Sequence, residues 1–118
     1  MKIDIPTIYE EDIIEFAQRD GNVIFKYTAD SIIEIVFKTV YKFDYVEFDY
    51  IRDLEWVFGL ELQEDSSYMK NFISSIPKEQ LDRAFGGEYE KLQHYKLVID
   101  DVGIYNIICK GIILPQAM

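Results

Sequence analysis

The sequence predicts an α+β fold, mostly antiparallel sheet, with two short helices inserted before a C-terminal hairpin. Three observations lead there. Apolar and polar side chains alternate from Ile33 to Leu62, helical spacing takes over between Ser66 and Phe85, and two apolar runs flank a polar turn from Tyr95 to Cys109. At 118 residues the chain can bury one core and is read as a single domain, 1–118.

Taken in order, Ile3 and Ile5 alternate ahead of Pro6, which suits a short edge strand or a lead-in. Residues 8–19 admit two readings. Thr7 followed by Glu10 fits a helical capping box, with Tyr9, Ile13, Phe16 and Ala17 as its stripe. Against it, Asp20-Gly21 separates IIEFAQR from NVIFKY, and Asp-Gly is favoured in two-residue hairpins because both turn positions need positive φ. The hairpin is the preferred reading. Val23, Phe25 and Tyr27 then share one face, and residues 28–31 turn the chain into the long alternating stretch.

In that stretch the odd positions are apolar from Ile33 to Tyr45, interrupted by Thr39, and the even positions from Val46 to Leu62. A one-residue slip turns every side chain over. At least two strands are therefore expected, with a bulge or break near Tyr45–Val46 and another near Ile51–Asp53. Beyond a polar break, Ser66 is a plausible N-cap for a helix with Met69, Phe72 and Ile73 facing inward. Ser75 is expected to cap a second helix, with Pro77 in its first turn, Leu81, Ala84 and Phe85 inward, and Gly86-Gly87 as the exit. The closing runs are apolar at both parities, which marks strands covered on both faces. The expected core is Leu97, Ile99, Ile104, Ile107 and Ile108 with Phe37, Phe43, Trp56 and Phe58.

Nine Tyr, eight Phe and one Trp supply ample area for a core despite the charge. The formal net charge is −10, which repels nucleic-acid backbones and anionic membranes and speeds encounter with a basic partner. The lone cysteine, Cys109, permits no internal disulfide and no cysteine zinc cluster. Acids interrupt the N-terminal segment where a signal peptide needs an apolar run, so a cytoplasmic location is expected.

Motifs for catalysis are sparse. His94 is the single histidine, so any Ser-His or Cys-His arrangement must use it, and no serine sits in a nucleophile-elbow pattern. Histidine ahead of a strand is more commonly a hydrogen-bonded or surface residue. Cys109, within an apolar run, reads as core. Asp100-Asp101 and Glu64-Asp65 could hold calcium or magnesium, but neither matches an EF-hand loop and both suit solvated turns. Glu88-Tyr89-Glu90-Lys91 only loosely echoes a nuclease metal motif. No glycine-rich phosphate loop is present, and no cofactor or metal is expected. A metal-dependent hydrolase using Asp100 and Asp101, and a structural or oligomer-forming role, stand as alternatives.

The acidic run from Asp44 to Asp65 is the most informative surface feature. A charge run is commonly the wet face of an amphipathic strand pair. It also has the anionic and aromatic ingredients for docking a basic protein. The expected partner-binding residues are Asp44, Glu47, Asp49, Tyr50, Asp53, Glu55 and Glu61. The acidic aromatic sheet, the segment WVFGLELQEDSSY and the closing HYKLVIDDVGIYNIICKGI resemble small bacterial immunity-type proteins of polymorphic toxin systems, over residues 23–114. The resemblance implies a protein that binds and blocks a co-encoded toxin, which the chain's own charge suggests is basic; it assigns no individual residue.

Overall fold

The computed structural model describes residues 1–47, 59–85, 92–99 and 102–115. Seven strands form one sheet: β1 (Lys2–Ile3), β2 (Ile13–Arg19), β3 (Asn22–Thr28), β4 (Ile32–Glu47), β5 (Gly59–Gln63), β6 (Gln93–Ile99) and β7 (Gly103–Ile113). Their order is β1-β5-β6-β7-β4-β3-β2, and every pairing is antiparallel. Two helices, α1 (Ser67–Ser74) and α2 (Lys78–Phe85), lie between β5 and β6 in the chain.

The Asp20-Gly21 hairpin is present, with φ of 54° and 81° at its two turn residues and Arg19 opposite Asn22. Residues 13–19 are therefore strand, and only Glu10–Asp12 make a single 3-10 turn. Val23, Phe25 and Tyr27 are buried on one face, as their parity requires.

The break expected near Tyr45–Val46 does not occur, because β4 runs unbroken through it to Glu47. The irregularities lie earlier. Thr39, the residue that interrupts the odd apolar set, has φ of 54°, and the register against β7 slips by one between Val40 and Lys42. Ile35, Phe37, Val40 and Phe43 all pack on the same core, while Tyr41 joins the cluster beneath the helices. Two shifts of parity thus cancel, so the odd pattern resumes at Phe43. The hairpin turn holds the kink: Thr39 N–H donates to Asn22 Oδ1 at 2.9 Å and Val40 N–H to the Gly21 carbonyl at 2.8 Å.

The sheet curls toward its main core. Phe16 on β2 and Tyr105 on β7 bring their rings to 4.6 Å with β3 and β4 between them, whereas three strand spacings in a flat sheet separate backbones by about 14 Å. Phe25, Tyr27, Ile35, Phe37, Leu97 and Ile107 fill the concave side at 0% exposure. The Tyr27 hydroxyl donates to the Pro6 carbonyl at 2.8 Å, fixing the N-terminal segment over them.

On the opposite face the helices shelter a second cluster of Leu81, Leu92 and Ile108, with Met69, Phe72 and Ile73 packed against it. Leu97, Val98 and Ile99 are consecutively buried, and so are Ile107, Ile108 and Cys109. These are the central strands covered on both sides. Phe43 is half-buried rather than buried, since it packs on the core while lining a surface hollow; Trp56 and Phe58 lie outside the described residues. Ser75 belongs to the end of α1, where its hydroxyl donates to the Phe72 carbonyl at 2.6 Å. The turn into α2 instead uses the Pro77 carbonyl, which accepts from Gln80 and Leu81 N–H.

Candidate functional site

Among the partner-binding residues expected from sequence, Asp44 and Glu61 are described in full. Asp44 stands opposite Asn106, Asn106 opposite Lys96, and Lys96 opposite Glu61. Directly opposed residues share a face, so these four form one polar row across β4, β7, β6 and β5. The two acids sit at its ends, about 14 Å apart by strand spacing, with Lys96 between them. The structure thus brings them onto one face without placing them side by side. Glu47 ends β4 opposite Gly103. Asp49, Tyr50, Asp53 and Glu55 lie outside the described residues, as do Asp100 and Asp101 of the metal alternative.

Asp44 is half-buried and already engaged. It accepts a short hydrogen bond from the Tyr68 hydroxyl, and Lys42 Nζ approaches it at 3.7 Å. The same Lys42 ammonium lies 4.9 Å from the Tyr68 ring centroid. Burial, reinforced by the bonded carboxylate, pushes the Tyr68 phenol well above its ordinary range. Glu61 is half-buried too and accepts from Gln63 Nε2 at 2.9 Å. Asp65, fully exposed, is paired with Lys70, whose hydrogen bond and positive charge hold its carboxyl below the usual value.

Next to this row lies a network that sequence reasoning did not assemble. Ser66 caps α1 by accepting from Met69 N–H at 3.1 Å. Its oxygen is also 2.6 Å from His94 Nδ1, and His94 Nε2 is 2.9 Å from Asn106 Oδ1. An amide oxygen can only accept, so Nε2 carries the proton and Nδ1 receives the serine's. Tyr68 stacks on the imidazole with centroids 4.7 Å apart. Among the described residues no buried side-chain nitrogen or oxygen is left without a partner.

His94 is 4% exposed, and burial lowers its pKa below the ordinary value, with Lys96 acting in the same direction and the Asn106 bond opposing. The group is a neutral imidazole at neutral pH. Ser, His and Asn in a line suggest a nucleophilic triad, but the geometry serves another purpose. A nucleophilic oxygen must face a substrate, whereas Ser66 is buried and its oxygen accepts the helix's N–H. The chain of bonds fastens α1 to the centre of the sheet. The sequence carries only a partial signal: Asn106 interrupts the apolar run from Ile104 to Cys109, and nothing in the spacing links it to His94 or Ser66.

Cys109 is buried, and burial pushes its thiol up to about 12. Among the described residues no three His, Cys, Asp or Glu are grouped to hold a metal ion, and no helix is long and apolar enough to cross a membrane. Comparison with protein-family models, with curated proteins and with solved structures gives no match.

Proposed function

We propose that the protein is a non-catalytic cytoplasmic domain that binds a basic protein, in the manner of an immunity-type inhibitor holding a basic toxin. The observation that carries this reading is the formal charge of −10, an excess of acids too large for the chain's own bases to neutralise. The residues assigned to attracting it are Asp44, Glu47, Asp49, Asp53, Glu55 and Glu61, with Tyr50 as an aromatic anchor. The bonding of Asp44 supports a role for that end of the row as a positioned group, since Tyr68 and Lys42 fix the carboxylate in place. Fixed charge costs less ordering on association than a mobile one.

The test is affinity capture at low ionic strength followed by kinetics with the recovered partner. A basic protein released by salt is expected. Reversal by Glu47→Lys with Asp49→Lys should slow association by about tenfold at low salt, the difference shrinking as screening grows. A partner whose binding ignores both salt and the double reversal overturns the reading.

A further inference from the structure

The sheet has two outer strands. β1 is two residues long and offers almost no ladder, but β2 has seven and, among the described residues, pairs only with β3. A two-residue hairpin closes on a hydrogen-bonded pair, here Arg19 with Asn22, and bonded pairs then alternate along the ladder. Ala17 and Glu15 therefore turn their backbone groups toward β3, and Phe16 and Gln18 turn theirs outward. The slip in register falls between Ile13 and Glu15, so Glu15–Arg19 is the regular portion.

A hollow of about 360 Å³ opens beside this same portion, lined by Phe16, Ala17, Gln18, Val23, Phe43 and Tyr105. Phe16, Val23, Phe43 and Tyr105 share the concave face, and Ala17, of the opposite parity, brings the hollow to the backbone of β2 as well. Its floor is aromatic: the Phe16 ring lies 4.6 Å from Tyr105 and 5.4 Å from Phe43. The charge at this edge is net negative. Residues 10–20 hold five acids and a single base, Arg19, which Glu15 holds at 3.3 Å. Tyr9 and Ile14 stand 55% and 52% exposed at the strand's start.

We propose that the outer edge of β2 receives an extended basic segment of the partner as an eighth strand, with one apolar side chain of that segment seated in the Phe16–Phe43–Tyr105 hollow. Strand addition of this kind takes affinity from main-chain hydrogen bonds and selectivity from a pocket for alternate side chains. Both parts are present at one place. A second copy of this chain would bring two acidic edges together, so charge selects a basic occupant. The inference rests on the basic-partner reading and assigns it a site distinct from the Asp44–Glu61 row.

The test uses the full chain with isotope-labelled amides and an acetylated, amidated peptide, Lys-Val-Lys-Phe-Lys-Val-Lys. Its control, Lys-Pro-Lys-Phe-Lys-Pro-Lys, has the same charge but cannot complete a ladder. The first peptide should bind about tenfold more tightly than the control and slow exchange of the Phe16 and Gln18 amides by about tenfold. Gln18→Pro, which removes an outward amide and no β3 bond, should abolish that preference while the melting temperature holds. Equal binding of both peptides, with no protection at Phe16 and Gln18, overturns the added strand while leaving the basic-partner reading intact. Failure of both to bind even at low salt overturns the two together. A free chain that sediments as a dimer closed through β2 also overturns it, and where Gln18→Pro does not fold, the paired peptides still decide.

Discussion

The Ser66 hydroxyl lies 2.6 Å from Nδ1 of His94, and through that single bond the first turn of α1 is fastened to β6, near the middle of the sheet. The serine does two tasks at once: it caps a helix and satisfies a buried imidazole. Losing it therefore harms both the helix and the strand.

Ser66→Ala removes a cap, at about 1 kcal/mol, and leaves a buried acceptor unpaired, at about 1–3 kcal/mol. The expected loss is about 2–4 kcal/mol, read as a lower denaturant midpoint at unchanged slope. Ser66→Thr, which keeps the hydroxyl, should recover most of it. Equal losses for the two variants would show that the hydroxyl contributes nothing.

His94 makes stability depend on pH with a definite sign. Its folded pKa is lowered from the ordinary 6.5, so the unfolded chain takes up a proton first as pH falls. Stability from this group is complete above 6.5 and declines as pH drops from there toward the folded value. Melting temperatures between pH 8 and 5 should fall for the natural chain and fall less for His94→Gln, after allowing for that variant's lower starting stability. Parallel curves would remove His94 as the cause.

Thr39 adopts φ of 54° with an exposed side chain, a conformation that costs a β-branched residue about 1 kcal/mol or more. Asparagine tolerates it better. Thr39→Asn should raise stability by about 0.5–1 kcal/mol, because the anchoring bond to Asn22 uses the backbone N–H and survives. Destabilisation by chemical denaturation would contradict the kink.

Cys109 sits at 0% exposure with its thiol pushed up to about 12. The thiolate is the reactive form, so an aromatic disulfide reagent at pH 8 should leave the native chain untouched for as long as it stays folded and titrate one thiol after denaturation. Immediate reaction of the native chain would place Cys109 at the surface.

Much of this architecture was legible in the sequence for simple reasons. Asp20-Gly21 declares its turn through φ, and the doubly apolar Leu97–Ile99 and Ile107–Cys109 runs declare central strands through coverage. What misled was parity around Thr39 to Tyr45. A positive φ at Thr39 and an extra residue at Tyr41 compensate each other, leaving an odd pattern that looks uninterrupted, so in the sequence the parity change shows only at Tyr45–Val46. The Ser66–His94–Asn106 chain was illegible for another reason. Its members come from a cap and two strands, and only the β6–β7 register and the docking of α1 bring them within reach. The edge of β2 was legible as a strand, but that its outer side is unpaired among the described residues is a property of strand order, which alternation does not encode.

The pairing of β4 with β7, from Val36 opposite Ile113 to Glu47 opposite Gly103, joins parts of the chain that are far apart in sequence. On one side of that seam, β2, β3 and β4 are linked by short turns and can zip in succession; on the other, β6 and β7 form a close hairpin. Hairpins form in about 1–10 μs, whereas distant pairings must first close a large loop. The seam is thus the longest-range ladder of the sheet, set between two locally connected units. Phe37 and Ile107, at 0% exposure on either side of it, owe their burial to that one long-range closure, so a change that weakens the β4–β7 ladder uncovers apolar surface from both units at once.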